Sequence, residues 1–305
     1  MTNIQSYTSK IIVMCGLPCS GKSTISKELA EQYNATIFSS DELREEMFGD
    51  INDQTHNQEL FVELHRRIKE CLRNGKSALY DACNINYKRR MVFLQELKNI
   101  PCEKICVLMA TPYEECLKRN NERERKVPEH VIKRMYCSFN IPYWYEGWDD
   151  IQIEYGEFDG YYGKPVEFYN NYKNYNQNNS HHKLTLGTHC QRACLQINPR
   201  ASITVAIAAY IHDCGKPETA TFVNSRGLTT EECHYYNHQY VSGYKALLFD
   251  ISNPLDVAIM AMWHMQPYFW EKDNNEKQHN KYRQLWGEQL YQDIMKLHEA
   301  DKNAH

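Results

Sequence analysis

Residues 16–23 read Gly16-Leu17-Pro18-Cys19-Ser20-Gly21-Lys22-Ser23, and they decide the fold of the first half of the chain. They match the pattern GxxxxGK[ST]. They follow a short β-branched apolar run at 10–15, and residues 22–32 have the composition of a helix. A glycine-rich turn of this kind points backbone N–H groups inward, and the helix N-terminus adds positive potential. The stretch predicts a nucleotide-binding loop in an α/β fold.

The side chains of this loop indicate which nucleotide it binds. Lys22 can reach the β- and γ-phosphates of a triphosphate, and the Ser23 hydroxyl can ligate Mg²⁺. We therefore expect ATP with Mg²⁺ as the cofactor. The predicted phosphate-binding residues are Gly16, Cys19, Ser20, Gly21, Lys22, Ser23 and Thr24.

Strand-like and helix-like segments alternate through the first half of the chain, which indicates a parallel sheet with flanking helices. We place this α/β P-loop domain at residues 1–165. Strand candidates lie at 10–15, 35–39, 77–80, 104–109 and 151–155, and helix candidates at 22–32, 58–73, 87–97, 113–120 and 129–136.

Residues 166–180 form the least core-like part of the chain, rich in Tyr and Asn, and we expect an inter-domain linker there. An ordered surface loop is the alternative. No strand stands out beyond it, so the second domain, residues 181–305, is predicted to be all-α. Its helix candidates are 184–197, 201–211, 238–248, 254–262 and 289–298.

Composition narrows the class of protein. The chain has 305 residues, 42% of them hydrophobic, which is enough for two globular domains. The net charge of −4 argues against a bulk nucleic-acid coat protein but allows a local basic groove. No run approaches the roughly 20 apolar residues of a membrane span, and no apolar leader precedes residue 10. The 12 cysteines are scattered without a CxxC pair, so we expect reduced thiols, a cytoplasmic protein and no membrane partner.

Acidic residues follow the second and third strand candidates, at the sheet edge where ligands bind in open α/β folds. Asp41 can take a proton from an attacking hydroxyl, and Arg44 can hold a nearby phosphate. A helix N-cap is the alternative role for Asp41. Asp81 ends the third strand candidate, where an acidic residue supports Mg²⁺ or the acceptor.

Arg119 and Arg123 are spaced to share one helical face. Two guanidinium groups on a lid could stabilise charge on a phosphoryl group in transfer. The alternative is a solvated charged helix, because acidic and basic residues are interleaved around them.

These motifs resemble the P-loop 5′-hydroxyl polynucleotide kinases of phage and bacterial RNA repair over about residues 8–140. The resemblance rests on GLPCSGKST, SSDELR, DACNIN with KRR, and RNNERERKVPEHVIKRM. It implies that Asp41 is the general base for a 5′-hydroxyl and that Arg44 contacts an acceptor phosphate. It also implies that Arg119 and Arg123 contact ATP from a lid. We assign Asp81 and Asn84 to the acceptor pocket.

Histidines and aspartates recur along the second half of the chain, each on or beside a helix candidate. Imidazole and carboxylate together suit Mn, Fe, Co, Ni or Zn. The adjacent His-Asp pair can place one carboxylate between two metals, which suits hydrolysis of a phosphate ester. Lys216 can offer positive charge to a substrate phosphate, and Gly215 can end the preceding helix. The candidate ligands are His189, His212, Asp213, His238, His264 and Asp301.

This second constellation resembles the HD-domain metal-dependent phosphohydrolases over about residues 181–305. The segments LGTHCQ, YIHDCGKP, HYYNHQYVSG, WHMQP and HEADKNA carry the resemblance. It implies a core site of His189, His212, Asp213 and Asp301, joined in binuclear members by residues matching His238 and His264. Whether His234 or His238 is the ligand stays open, although we favour His238. His181 and His182 are expected at the surface or behind the ligands.

Together the two halves resemble bifunctional end-healing enzymes, with a 5′-hydroxyl kinase beside a phosphohydrolase that removes a 3′-phosphate, 2′-phosphate or 2′,3′-cyclic phosphate. The expected partners are nucleic-acid ends, RNA more than DNA, and a separate ligase. One alternative is a kinase and phosphohydrolase acting on small nucleosides or nucleotides. Another is a regulatory protein that senses a nucleotide. The null for every lone histidine is an ordinary hydrogen-bonded imidazole.

Overall fold

The computed structural model describes residues 9–156, 163–180, 183–200, 202–272 and 275–304. The chain divides into two compact units. The first comprises Met1–Ile132 and Pro142–Phe158, and the second comprises Lys133–Ile141 and Asp159–His305. The domain boundaries drawn from the sequence stay a prediction.

The first unit is built on a parallel sheet of strand order β2-β3-β1-β4-β5. The predicted α/β parallel-sheet fold is therefore confirmed for this part of the chain. The central strand β1 is buried from Ile11 to Cys15, as expected for a parallel strand covered on both faces. The strands are β1 (Lys10–Cys15), β2 (Ala35–Ser39), β3 (Ser77–Asp81), β4 (Glu103–Met109) and β5 (Asp150–Glu154).

Helices connect these strands, and they match the predicted ones with one addition. Helix α2 follows β2 without a break, where the sequence indicated only a possible N-cap. Its N-cap is Ser39, whose hydroxyl accepts a hydrogen bond from the Glu42 N–H at 3.3 Å. The helices are α1 (Lys22–Gln32), α2 (Ser40–Phe48), α3 (Asn57–Arg73), α4 (Tyr87–Glu96), α5 (Tyr113–Glu122) and α6 (Glu129–Tyr136).

The second unit is mostly helical, which agrees with an HD domain without identifying one. Helix α7 occupies part of the segment predicted as a linker, and its Phe168 is buried. The described helices are α7 (Pro165–Tyr172), α8 (Leu186–Gln196), α9 (Ile203–Ile211), α10 (Lys216–Thr219), α11 (His238–Ala246), α12 (Pro254–Trp263), α13 (Gln266–Lys272), α14 (Glu276–Trp286) and α15 (Glu288–Lys302).

The prediction of an all-α second domain was wrong in one place. An antiparallel hairpin pairs β6 (Ala220–Val223) with β7 (Thr229–Tyr235). Its turn contains Gly227 at a φ of 79°, and Asn224 N–H donates to the Leu228 carbonyl at 2.8 Å. Polar residues alternate along β7, and no apolar run marks it as a strand.

Helix α12 is the centre of the second unit's core. It is buried from Val257 to Trp263, and it packs against α9 and α11. A helix that is apolar on all sides must lie inside a bundle. This packing brings the carboxyl ends of α9 and α12 to the same region, which matters for the residues that follow them. None of the described helices has both the length and the apolar character needed to cross a bilayer.

A buried ion pair ties together three segments of the first unit. Arg90, on α4, and Glu146 form two hydrogen bonds of 2.6 and 2.8 Å, and both side chains are at most 1% exposed. Arg90 also donates to the Asn84 carbonyl at 2.8 Å, and the Trp148 indole donates to Glu146 at 3.1 Å. The pair therefore holds the loop after β3, which carries residues next to the phosphate loop.

We predict that Glu146→Gln lowers the free energy of unfolding by about 3–5 kcal/mol, because it leaves the buried Arg90 charge without a counter-ion. Glu70→Gln is the matched control, since Glu70 pairs with Arg66 at the surface and should cost under about 1 kcal/mol. Urea unfolding of the two variants makes the comparison. Equal losses would contradict the buried role of the Arg90–Glu146 pair.

Candidate functional site

The phosphate loop has the backbone geometry that its glycines predict. Gly21 has a φ of 93° and Cys19 a φ of 63°, both in the left-handed region. A Cβ atom on Gly16 would lie 2.7 Å from Ser20 Oγ and 2.8 Å from Met109 Cβ. The loop is therefore a close turn between β1 and α1 that a larger residue at position 16 would disturb.

Three side chains at the base of this loop are positioned for a nucleotide and a metal ion. The Lys22 ammonium group donates to the carbonyls of Leu17 at 2.6 Å and Gly16 at 3.2 Å. Ser23 donates to Asp81 at 3.1 Å, so the hydroxyl and carboxylate meet at one point. Burial raises the pKa of Asp81, although Lys22 acts to lower it. Ser23 and Asp81 form an oxygen pair suited to Mg²⁺.

Asp41 lies in the first turn of α2, as the sequence placed it at the end of β2. One carboxylate oxygen accepts from Arg44 at 2.8 Å, while 49% of the Asp41 side chain is exposed. The Arg44 side chain is only 5% exposed and also donates to Asn57 at 3.2 Å. Arg44 therefore orients Asp41 from beneath, and its contact with an acceptor phosphate stays a prediction.

The two predicted lid arginines lie beside the phosphate loop, but they do not share a helical face. Helix α5 ends at Glu122, and Arg123 has an extended backbone. Arg119 Nη1 is 3.5 Å from the Cβ position of Gly21, and Arg123 Nη1 is 3.2 Å from Cys19 Sγ. The expected shared face was wrong because the helix stops one residue too early.

Two other residues differ in role from their sequence assignment or were missed. Asn84 has a φ of 46°, and its amide donates to the Met14 carbonyl at 2.9 Å, so it joins the loop after β3 to β1. Its contact with an acceptor stays a prediction. Arg125, which we did not assign, donates to Asp41 at 2.7 Å. The mixed charges around Arg125 made it look like part of a solvated surface.

The six predicted metal-ligand residues of the second unit are buried and come together. His189 lies on α8 and Asp301 on α15, while His212 and His264 are the residues that end α9 and α12. Asp213 follows His212, and His238 begins α11. Ligand atoms of two triads each lie within 4.8 Å of one another: His189, His212 and Asp301, and Asp213, His238 and His264.

Asp213 lies between the two triads, with one oxygen toward each. Its Oδ2 is 3.5 Å from His189 Nε2 and 3.3 Å from His212 Nε2. Its Oδ1 is 3.1 Å from His238 Nε2 and 3.5 Å from His264 Nε2. The carboxylate is therefore placed to bridge two cations, as the adjacent His-Asp pair predicts.

Backbone carbonyls fix the tautomer of three of these histidines. Nδ1 donates to the carbonyl three residues earlier in His212 at 2.9 Å, in His238 at 2.7 Å and in His264 at 2.7 Å. A carbonyl only accepts, so each Nδ1 carries the proton, and each Nε2 of a neutral ring presents its lone pair. Two of these carbonyls are at helix ends, where they lack intrahelical partners.

The same lone pairs face oxygen atoms that also accept, which is the test of whether a metal suits the site. The buried Nε2 of His212 makes no hydrogen bond of ordinary geometry, although it lies 3.4 Å from Asp301 Oδ1. Opposed acceptors of this kind require a shared cation or an added proton. A histidine held through Nδ1 with Nε2 turned to carboxylates is typical of a metal ligand.

The pKa directions describe the same electrostatic demand. Burial acts to lower the pKa of His212, but the charges of Asp213 and Asp301 raise it to about 10. Burial acts to raise the pKa of Asp301, yet the imidazoles of His212 and His189 hold it well below its usual range. The two carboxylates are therefore ionised in a buried site, and they need positive charge between them.

Neighbouring residues fix the outer atoms of these carboxylates. Lys216 lies 2.6 Å from Asp213 Oδ2 and donates to Gln177 at 2.8 Å. Its contact with a substrate phosphate stays a prediction. Tyr268 donates to Asp301 Oδ2 at 3.0 Å. Gln177 and Tyr268 escaped the sequence analysis because each lies far along the chain from the residue it orients.

Three further sequence assignments concern histidines and a glycine. His234 lies on β7, and its Nε2 is 3.1 Å from Thr230, so His238 rather than His234 joins the cluster. Gly215 has a φ of −85° and begins α10, so the expectation that it ends a helix with a left-handed residue was wrong. His181 and His182 lie outside the described residues.

Comparison with known proteins bears on the first unit. Residues 11–142 match the sequence family described as an AAA domain. Over 150 residues the chain is 31% identical to the L-seryl-tRNA(Sec) kinase of Methanococcus maripaludis. The N-terminal half of the chain is a P-loop kinase domain. The match covers 47% of this chain and 58% of the M. maripaludis kinase, so the chain spans little more than half of that relative.

Solved structures also resemble the P-loop kinase domain. The Pnkp1/Rnl/Hen1 RNA repair complex has 19% identity and a TM-score of 0.38, covering 44% of this chain and 45% of that chain. The APS kinase CysC of Mycobacterium tuberculosis has 15% identity and a TM-score of 0.37, covering 49% of this chain and 90% of that chain.

We predict that Gly215→Ala loses metal from the triad containing His238 while the triad containing His189 keeps it. A Cβ at position 215 would lie 2.4 Å from the His238 carbonyl and 2.7 Å from Ser242 N, so the start of α11 must shift. Metal content measured after loading with Mn²⁺ should fall from about two ions per chain to about one.

Gly227→Ala is the matched control, because no atom lies within 4 Å of a Cβ built there. It carries only the backbone cost of a positive φ, in the turn between β6 and β7, and should keep both ions. Equal metal content in the two glycine variants would contradict the role of Gly215.

Proposed function

We propose that this chain is a bifunctional nucleic-acid end-healing enzyme. The kinase domain, residues 1–165, would transfer the γ-phosphoryl group of ATP to a 5′-hydroxyl. The second domain, residues 181–305, would be an HD-type phosphohydrolase that removes a 3′-phosphate, 2′-phosphate or 2′,3′-cyclic phosphate. The observation that carries the proposal is Asp213, whose two oxygens face separate histidine sets in a chain that also has a kinase site.

The kinase half of the proposal follows from the carboxyl edge of the sheet. Lys22 and the phosphate loop would hold ATP, and Ser23 with Asp81 would hold Mg²⁺. Asp41, half-exposed on α2, would accept the proton of the attacking hydroxyl. Arg119 and Arg123 would neutralise charge that develops on the transferring group.

The phosphohydrolase half rests on residues that fit divalent cations of the Mn, Fe, Co, Ni or Zn class. Such ions, when bound, supply Lewis-acid chemistry toward phosphoryl oxygens and water. His189, His212 and Asp301 would hold one ion and His238 with His264 the other, with Asp213 shared. Lys216 would fix the Asp213 carboxylate, and Tyr268 would fix that of Asp301.

The two reactions make chemical sense on one substrate. A break that leaves a 5′-hydroxyl and a 3′- or cyclic phosphate needs both ends changed before ligation. The two sites together would produce a 5′-phosphate and a 3′-hydroxyl, which a separate ligase could join. RNA is the favoured substrate because such breaks arise from ribonuclease cleavage.

We also propose a reducing, cytoplasmic location for this activity. The 12 cysteines are all free thiols, and six of them are buried in the core of one unit or the other without pairing. Cys15 and Cys106 in β1 and β4 illustrate this, because they sit in the packed sheet as small apolar residues.

A second candidate function is favoured by one comparison. The M. maripaludis relative is named for phosphorylating a seryl group carried on a tRNA, at 31% identity. A hydroxyl displayed on RNA, rather than a terminal 5′-hydroxyl, is thus an alternative acceptor for Asp41. Free nucleosides and sensing of a nucleotide without turnover remain weaker alternatives, since neither uses both sites.

The first test supplies ATP, Mg²⁺ and Mn²⁺ with an RNA oligonucleotide carrying 5′-hydroxyl and 3′-phosphate ends. Both ends should change, as read by mass spectrometry of the product strand. A DNA strand, a free nucleoside and a seryl-tRNA serve as competing acceptors. Transfer to either of the last two in preference to the strand would contradict the end-healing proposal.

We predict that Asp41→Asn lowers the kinase rate by about 10²–10⁴-fold, because the carboxylate that accepts the proton is lost. The phosphohydrolase rate should be unchanged. Asp213→Asn should abolish phosphatase activity and metal binding while leaving kinase activity intact. Loss of both activities in either folded variant would contradict two independent sites.

A further inference from the structure

Arg125 is the one arginine of its segment whose contacts lie with Asp41 rather than with the phosphate loop, among the contacts the structure describes. Its Nη1 donates to Asp41 Oδ2 at 2.7 Å and its Nη2 to the Ile51 carbonyl at 3.1 Å. Its Nε donates to Asn52 at 2.9 Å. Every one of these partners belongs to α2 or the turn that follows it.

The nearby Arg123 faces the other substrate. Its Nη1 lies 3.2 Å from Cys19, in the phosphate loop. Two residues of one short segment between α5 and α6 therefore contact the ATP side and the acceptor side. This arrangement was not visible in the sequence, where Arg125 is one of several alternating charges.

Exposure separates Arg125 from Arg44, the residue to which the family resemblance gives the acceptor phosphate. The Arg44 side chain is 5% exposed and lies behind Asp41. The Arg125 side chain is 29% exposed, and all three of its partners are at the protein surface or half-buried. Arg125 can change partners without unpacking the domain, whereas Arg44 cannot.

We propose that Arg125 binds a backbone phosphate of the acceptor strand and that its pair with Asp41 is the resting form of the site. This inference rests on the proposed kinase function. A phosphodiester is a strong, bidentate partner for a guanidinium group, so an arriving strand can draw Arg125 from Asp41. Asp41 then loses one of its two charge-assisted bonds, which makes it a better proton acceptor for the 5′-hydroxyl.

The test compares Arg125→Ala with Arg66→Ala, which removes a surface guanidinium on α3 paired only with Glu63 and Glu70. Arg125→Ala should raise the KM for a 5′-hydroxyl oligonucleotide about tenfold and leave the KM for ATP unchanged. It should also lower the salt dependence of strand binding by about one unit of slope, as loss of one phosphate contact predicts. With a nucleoside acceptor that lacks phosphate, the variant should match wild type.

Strand binding is measured separately, by fluorescence anisotropy with a non-hydrolysable ATP analogue, so the inference does not depend on transfer alone. Equal increases in both KM values, or a fall in kcat with both KM values intact, would assign Arg125 to the donor side and overturn the inference. Unchanged kinetics and salt slope would overturn it as well. A wild-type chain that binds strands but phosphorylates none contradicts the kinase proposal only, and one that does neither contradicts both.

Discussion

Two ionised carboxylates buried among helices are the constraint on which the second unit depends. Asp213 and Asp301 are at most 6% exposed, and burial of an uncompensated charge costs several kcal/mol. The surrounding imidazoles, held through Nδ1 by backbone carbonyls, turn lone pairs toward these oxygens rather than protons. Lys216 compensates part of the charge. The remaining demand for positive charge at the centre explains why residues from separate helices meet there.

The kinase domain depends on a different constraint, the common direction of its strands. Parallel strands bring the ends of β1, β2 and β3 to one edge, so the phosphate loop, Asp41 and Asp81 lie together although they are far apart in the sequence. The buried Arg90–Glu146 pair then holds the loop after β3 at that edge. Topology thus places the groups, and local pairs refine their positions.

Regular elements and ligand identities could be predicted from the sequence, whereas partners across the fold could not. Strand β1 and helix α1 have apolar patterns and a glycine motif that act locally, and His212-Asp213 are adjacent in the chain. Arg125 is instead defined by a contact with Asp41, 84 positions earlier. The hairpin β6–β7 was missed because polar residues fill it, and Arg123 left its predicted helix because a boundary of one residue cannot be read from propensity.

The two sets of carboxylates differ in exposure, and the difference follows from their chemistry. A metal ligand must keep one geometry, so Asp213 is buried and fixed by Lys216 and by the imidazoles around it. A general base must meet an acceptor that arrives from solvent, so Asp41 stays half-exposed at the start of a helix. The buried Arg44 keeps it oriented, while the exposed Arg125 is an exchangeable partner. One carboxylate is therefore held by permanent contacts and the other by a contact that substrate can replace.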